Sequence, residues 1–286
     1  MKILIGVDFY DASVDAGRWA ARWFGPAATL APTYVVRIPD VPSFTRVLDE
    51  GHGEILDHAR SEAARALEPI VDEFGADRSE AIVTTGSPGE ALLTAAREWG
   101  ADVIAVGPHG AGSPSAGFFG GTASYLLRHS DIPVLVVRGG MARPPRRVMV
   151  AMTEGAATEG LLSMTRTIAD DHGSVAVGVY VIETLIDGLP TFSATTGPER
   201  EAELDELTRS WLRARLEGAG FDGEHREAIA ARGKPGSTLC ALAETEHADL
   251  IVMGTHGHPL AGPALGSVAR YVVSHAPRPV LVVPQK

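Results

Sequence analysis

A chain of 286 residues, 45% of them apolar, has the hydrophobic mass for about two packed domains. Its net charge of −11 disfavours a nucleic-acid partner, and its one dense basic cluster, Arg143–Arg147, reads as a linker between halves. A single cysteine, Cys240, excludes an intrachain disulfide and suits a cytoplasmic location; no apolar run approaches the ~20 residues of a membrane span, and MKILIGVD enters a strand pattern without the features of a secretory signal.

The run ILIGV (3–7) is a strand of the kind buried on both faces. A helix is expected over 11–24 and a second strand over 33–37. A long helix follows over 52–74, where Ile55, Ala59, Ala63, Ala66, Leu67 and Ile70 form one stripe. The third strand covers 81–85. Ser87-Pro88-Gly89-Glu90 reads as a helix start, with Ser87 as cap, Pro88 in the first turn and Glu90 reaching back. The fourth strand is 102–106, a helix covers 120–129, and PVLVV (133–137) is the fifth strand.

The connector GGMARPP (139–145) separates a domain over 1–140 from one over 146–286. In the second, strands at 148–152, 175–181, 227–232, 249–253 and 279–283 alternate with helices at 157–170, 199–217, 237–246 and 266–275. Segments 38–50 and 184–198 read as long loops after the second strand of each half. Such alternation gives a parallel sheet with helices on both faces and right-handed crossovers. The fifth strand carries no charge, and as a sheet edge it needs a cover. Pairing of the two fifth strands, within one chain or in a homodimer through 133–137 and 279–283, would supply it.

The halves are repeats. DVIAVGPHG (102–110) returns as DLIVMGTHG (249–257), and TGSPGEAL (85–92) as RGKPGSTL (232–239), at one constant offset. Downstream the offset shortens by one residue: Tyr125, His129 and 132–137 match Tyr271, His275 and 278–283. A long-period repeat of this kind sets the architecture. In the first copy Gly107 and Gly110 leave an apolar strand, and Gly120, Gly121 and Thr122 enter a helix. Unpaired N–H groups and the helix dipole make that place receptive to phosphate. Glycines let the main chain come close, and a nest of N–H groups needs no lysine.

The two units VGPHG…FGGTASYLLRHSDIPVLVVR and MGTHG…LGSVARYVVSHAPRPVLVVP resemble universal stress protein domains, whose nucleotide motif is G-x2-G-x9-G-[ST]. The resemblance covers nearly the whole chain, once per half. It implies an α/β fold of two tandem Rossmann-like domains, each a five-stranded parallel sheet of flavodoxin-type order 3-2-1-4-5 with helices on both faces. In the family's ATP-binding members the glycine loop holds phosphates and ribose, while an Asp ending the first strand and a Val in the second border the adenine. Carried onto this sequence, the first half offers Asp8, Val35, Gly107, Gly110 and Gly120. Gly121 stands where the motif has a hydroxyl, and Thr122 follows it. A lost hydroxyl removes one hydrogen bond, about 0.5–1.5 kcal/mol. The second half offers Val181, Gly254, Gly257, Gly266, Ser267 and the adjoining Val268. Its loop is one residue shorter, and Thr153 replaces the Asp.

The remaining signals are blander. His109 and His256 read as loop histidines with local hydrogen bonds, and His256-Gly257-His258 has no acid or cysteine at ligand spacing. His129 and His275 sit where they would stabilise a helix C-terminus. Asp8 has a second reading as the cap of the first helix, alone or with Asp11. Cys240 reads as core, and Trp19, Trp23 and Phe24 as core or interface. No Walker lysine pattern and no catalytic triad is legible. The expectation is therefore a cytoplasmic ATP-binding regulatory or stress-survival protein with little or no turnover, at most a slow ATPase, with Mg²⁺ bridging the phosphates and no membrane partner. The alternative is an interaction module of the same fold without nucleotide.

Overall fold

A computed structural model describes residues 1–37, 53–108, 120–138, 144–154, 157–183, 185–186, 189–190, 197–256 and 265–285. The chain divides into two compact units with the boundary between Met141 and Ala142. The first contains β1 (Lys2–Val7), α1 (Asp11–Trp23), β2 (Thr29–Val36), α2 (Gly53–Phe74), β3 (Ile82–Thr85), α3 (Pro88–Trp99), β4 (Val103–Val106), α4 (Gly121–His129) and β5 (Val134–Val136). These strands pair in parallel in the order β3-β2-β1-β4-β5; Ile3 sits beside Leu30 on one side and Val103 on the other.

The second unit contains β6 (Arg147–Ala151), α5 (Ala157–Asp170), β7 (Val175–Ile182), β8 (Leu185–Ile186), β9 (Leu189–Pro190), α6 (Pro198–Gly218), β10 (Arg226–Arg232), α7 (Pro235–Thr245), β11 (Leu250–Gly254), α8 (Ser267–His275) and β12 (Val280–Val283). Its parallel order is β10-β7-β6-β11-β12, the same 3-2-1-4-5 arrangement. β8 and β9 pair antiparallel within the segment expected to be a loop.

The apolar strand runs are buried as their composition requires: Ile3, Leu4, Ile5, Val103, Ile104 and Ala105 are all fully buried. Trp19 and Trp23 stack with ring centroids 3.3 Å apart, and with Phe24 they belong to the core. On α2 the buried stripe is Ala63, Leu67, Ile70 and Phe74, whereas Ile55 is 58% exposed and Ala66 is exposed. The expected stripe was too generous: Ala66 precedes Leu67 by one residue, which turns it about 100° round the helix. β2 begins at Thr29, not 33, and runs through Pro32. The ladder with β3 starts just beyond, at Thr33 and Ile82, so the missing N–H breaks no bond of that ladder. Cys240 is half-buried rather than core.

Several repeated residues have packing roles. Asp102 Oδ2 accepts the Lys2 amide at 2.7 Å, and Asp249 Oδ2 accepts the amides of Arg146 and Arg147 at 2.8 and 3.1 Å. Each aspartate thus fastens the start of the fourth strand of its unit to the start of the first. The Pro-Gly pair brings α3 against α4 and α7 against α8. A Cβ on Gly89 would lie 2.6 Å from Tyr125 Cβ, and one on Gly236 2.8 Å from the Tyr271 ring. Both tyrosines stack on the histidine of the next turn at 4.2 Å, and His129 and His275 place Nδ1 2.9 Å from the Tyr125 and Tyr271 carbonyls. Both imidazoles thus lie in the last turn of their helix, against a main-chain carbonyl. Ser87 is the extended N-cap of α3, but its side chain makes no cap hydrogen bond. The anticipated capping box does not form; Pro88, with its fixed φ and no amide to satisfy, starts the helix.

Arg147 joins β6, β10 and the end of α7. It donates to both carboxylate oxygens of Glu227 at 2.7 Å and to the Glu246 carbonyl at 2.8 Å. The guanidinium holds the Glu227 carboxyl below the usual carboxylate range.

Gly89→Ala or Gly236→Ala forces a methyl into a tyrosine ring and lowers stability by about 1–3 kcal/mol in urea denaturation. The Glu227 carboxylate takes up its proton at lower pH folded than unfolded. Its stabilising effect is therefore complete above about pH 4.3 and is lost as pH falls through the depressed folded value. Glu227→Gln should flatten that part of an acid-denaturation profile, and an unchanged slope would refute the assignment.

Candidate functional site

In a parallel sheet of this order the crevice lies at the carboxyl ends of the strands, where the connections from β1 and β4 diverge. The first unit has a cleft there of about 320 Å³, within the range of roughly 300–1,000 Å³ typical of small-molecule sites. Gly6, Val7 and Asp8 at the end of β1 and Thr33, Tyr34, Val35 and Arg37 at the end of β2 form one side. Val106 and Gly107 at the end of β4, Pro88 and Leu92 of α3, and Gly120, Thr122 and Ala123 at the start of α4 form the other.

Each wall has a local cause. A Cβ on Gly6 would lie 2.9 Å from Leu92 Cδ1 and 3.2 Å from Val106 Cγ1, so a side chain at that position would crowd the floor. A Cβ on Gly107 would lie 3.0 Å from the Ala12 carbonyl oxygen, because the first turn of α1 rests on the end of β4. The Gly120 amide donates to the Pro108 carbonyl at 2.8 Å and ties the two ends of the glycine loop together. Asp8 Oδ1 accepts the Tyr10 amide at 3.2 Å, the Asp8 amide donates to Ser13 Oγ at 3.1 Å, and Ser13 Oγ donates to the Tyr10 carbonyl at 2.9 Å. Asp8 therefore both shapes the start of α1 and lines the cleft. Between them Phe9 adopts a left-handed backbone with φ 64°, unusual for a bulky side chain, and its ring lies against Tyr34 with centroids 4.9 Å apart. That reversal leaves Asp8 and Tyr10 on the cleft while Phe9 leaves it.

Of the first-half residues singled out by sequence, Asp8, Val35, Gly107, Gly120 and Thr122 meet in this cleft. Gly121 opens α4, is exposed, and would have open space around an added Cβ. Gly110 and His109 lie outside the described residues. Sequence reasoning missed Gly6, Tyr10, Thr33, Arg37 and Leu92. Arg37 had a signal, a cation just past the end of the second strand; Gly6, a lone glycine inside an apolar strand, had another.

The second unit differs at matching places. Val181 is half-buried on β7. Gly254 ends β11, and a Cβ there would lie 2.5 Å from Gln285 Nε2. The Gly266 amide donates to the Thr255 carbonyl at 2.9 Å, repeating the closure made by Gly120. Ser267 opens α8 and is exposed, and Val268 is half-buried. The Thr153 carbonyl accepts the Thr158 hydroxyl at 2.6 Å at the start of α5. His256 places Nδ1 3.1 Å from Thr255 Oγ1, a local contact as anticipated. Gly257 and His258 lie outside the described residues. Glu183 follows β7 where Arg37 follows β2. Burial, and then the charges of Glu154 and Glu183, push the Tyr180 hydroxyl above the usual tyrosine value. No group of three or more metal-ligating side chains occurs among the described residues, and none of their helices is long and apolar enough to cross a membrane.

The model of the universal stress protein family matches residues 1–138 and 145–284. A universal stress protein of Mycolicibacterium smegmatis is 30% identical, over 98% of this chain and 96% of its own length. One from Mycobacterium tuberculosis is 28% identical over 80% of this chain and 78% of its own. The crystal structure of a universal stress protein from Archaeoglobus fulgidus shares the fold, with a TM-score of 0.65 at 18% identity over 99% of this chain and 96% of that one. With the family matched once in each half and a relative aligned along nearly its full length, this chain belongs to the universal stress protein family.

Proposed function

We propose that the first unit binds an adenine nucleotide, ATP with or without Mg²⁺, and that the protein acts as a nucleotide-responsive regulator with little or no turnover. The observation that carries this reading is the meeting of Asp8, Val35, Gly107, Gly120 and Thr122 in one cleft at the carboxyl edge of the sheet. Val7, Val35 and Leu92 offer apolar surface for a flat base. The Asp8 carboxylate is an acceptor for a ribose hydroxyl or an exocyclic amine. Phosphates would rest at the start of α4, where main-chain amides and the helix dipole favour anions. Arg37 adds a positive charge to the same cleft.

Turnover is not part of the proposal because the sequence lacks the Walker lysine pattern. A Mg²⁺ on the phosphates would need only one or two protein oxygens, and the Thr122 residue that lines the cleft at the start of α4 carries a hydroxyl that could supply one. Association of two copies through 133–137 and 279–283 would rest on main-chain pairing.

Titration calorimetry of nucleotide-stripped protein with Mg-ATP tests the proposal, and silence at millimolar ligand would leave the interaction module as the better account. Asp8→Asn should weaken binding roughly tenfold or more, the loss of one hydrogen bond to a charged group of about 1.5–3 kcal/mol. Gly6→Val should abolish binding by filling the cleft floor, with the far-ultraviolet circular dichroism spectrum retained.

A further inference from the structure

The two units match in strand order and in the residues that fasten the strands, so differences at their carboxyl edges can be compared place by place. In the first unit the nearest atoms to a Cβ on Gly107 belong to Ala12 and Ser13, the first turn of α1. In the second, the nearest atom to a Cβ on Gly254 is the side-chain nitrogen of Gln285, at 2.5 Å. Gln285 Nε2 also donates to the His256 carbonyl. The carboxamide therefore lies on the end of β11 and holds the main chain where the glycine loop begins. The matching residue in the first half is Gly139, which has no side chain to do this.

Charge and volume change in the same sense. Arg37 after β2 becomes Glu183 after β7, and the Asp8 place is taken by Thr153 with Glu154 beside it. The floor residues Gly6, Val7 and Val106 become Ala151, Met152 and Met253. A polyphosphate approaching this edge meets carboxylates where the first unit offers a guanidinium, and like charges are costly at short range.

We propose that the second unit is a self-occupied copy, the end of its fourth strand at Gly254 and His256 covered by the Gln285 carboxamide, so that the chain binds one nucleotide and binds it in the first unit. This rests on the nucleotide reading of the first cleft; the Gln285 contact itself does not. A donor amide on a loop carbonyl and a side chain over Gly254 consume the close main-chain approach that an anionic ligand would need. The glycine at 254 is then kept for Gln285.

The sequence supplies an unusually clean probe. It contains no asparagine and one glutamine, so the whole protein has a single side-chain carboxamide. In a ¹⁵N–¹H correlation spectrum of the full chain its NH₂ pair is self-assigning, and Gln285→Ala must delete it. The proposal expects that pair to be displaced from the free-glutamine position and to exchange with solvent roughly tenfold more slowly, as for a hydrogen-bonded amide. It also expects the pair to stay in place when Mg-ATP is added to saturation, with calorimetry giving one nucleotide per chain. A pair at the free-glutamine position, a pair driven there by Mg-ATP, or two nucleotides per chain would each overturn it. If calorimetry gives no heat at all, the nucleotide reading of the first unit falls, while the position and exchange of the NH₂ pair still decide whether Gln285 is fixed on the His256 carbonyl.

Discussion

The contact between Gly107 and the first turn of α1 governs the cleft of the first unit. A helix can start this close to the end of a neighbouring strand only if that strand ends in a residue without a side chain. With α1 held there, Asp8 and Tyr10 turn into the space above β1 and the start of α4 closes the far side. The same rule acts one layer down at Gly6, where Leu92 and Val106 crowd the position a Cβ would occupy. The cleft is thus formed by omitted atoms, and its few polar groups are set around that omission.

The second unit keeps the scaffold and changes the edge. Its strand order, its aspartate at the start of the fourth strand and its Tyr–His stack repeat those of the first. What differs is chemistry at the mouth: acidic residues for a basic one, larger side chains on the floor, and an amide laid on the strand end. Duplication separates the demands of folding from those of a ligand, because the two copies share the former and need not share the latter.

How much of this was legible in the sequence follows from the kind of signal each feature leaves. Strands such as ILIGV and DLIVM announce themselves because burial on both faces demands a continuous apolar run. The glycine loop was readable because it occurs twice in the same setting. The limits of α2's buried stripe were not, since Ile55 and Ala66 are apolar without facing the sheet. The second strand is expected from Thr33, after Pro32, yet it extends back to Thr29, and only its ladder with β3 begins beyond the proline. At Ser87 the residues of a capping box are present, yet proline alone suffices to begin the helix. Tyr10, Thr33 and Leu92 line the cleft as isolated residues with no local pattern. Topology brings them together, and a linear reading has no means of pairing them with a loop so far downstream.

The Gly89–Tyr125 and Gly236–Tyr271 contacts bear on how relatives of this chain are recognised. The stretch that makes the two halves look alike includes glycines, tyrosines and aspartates that serve helix packing and strand anchoring. A sound fold needs those letters whether or not anything ever sits in the crevice. A duplicated half can therefore lose its ligand and still carry most of its family's signature, so kinship inferred from that signature speaks for ancestry and architecture before it speaks for occupancy.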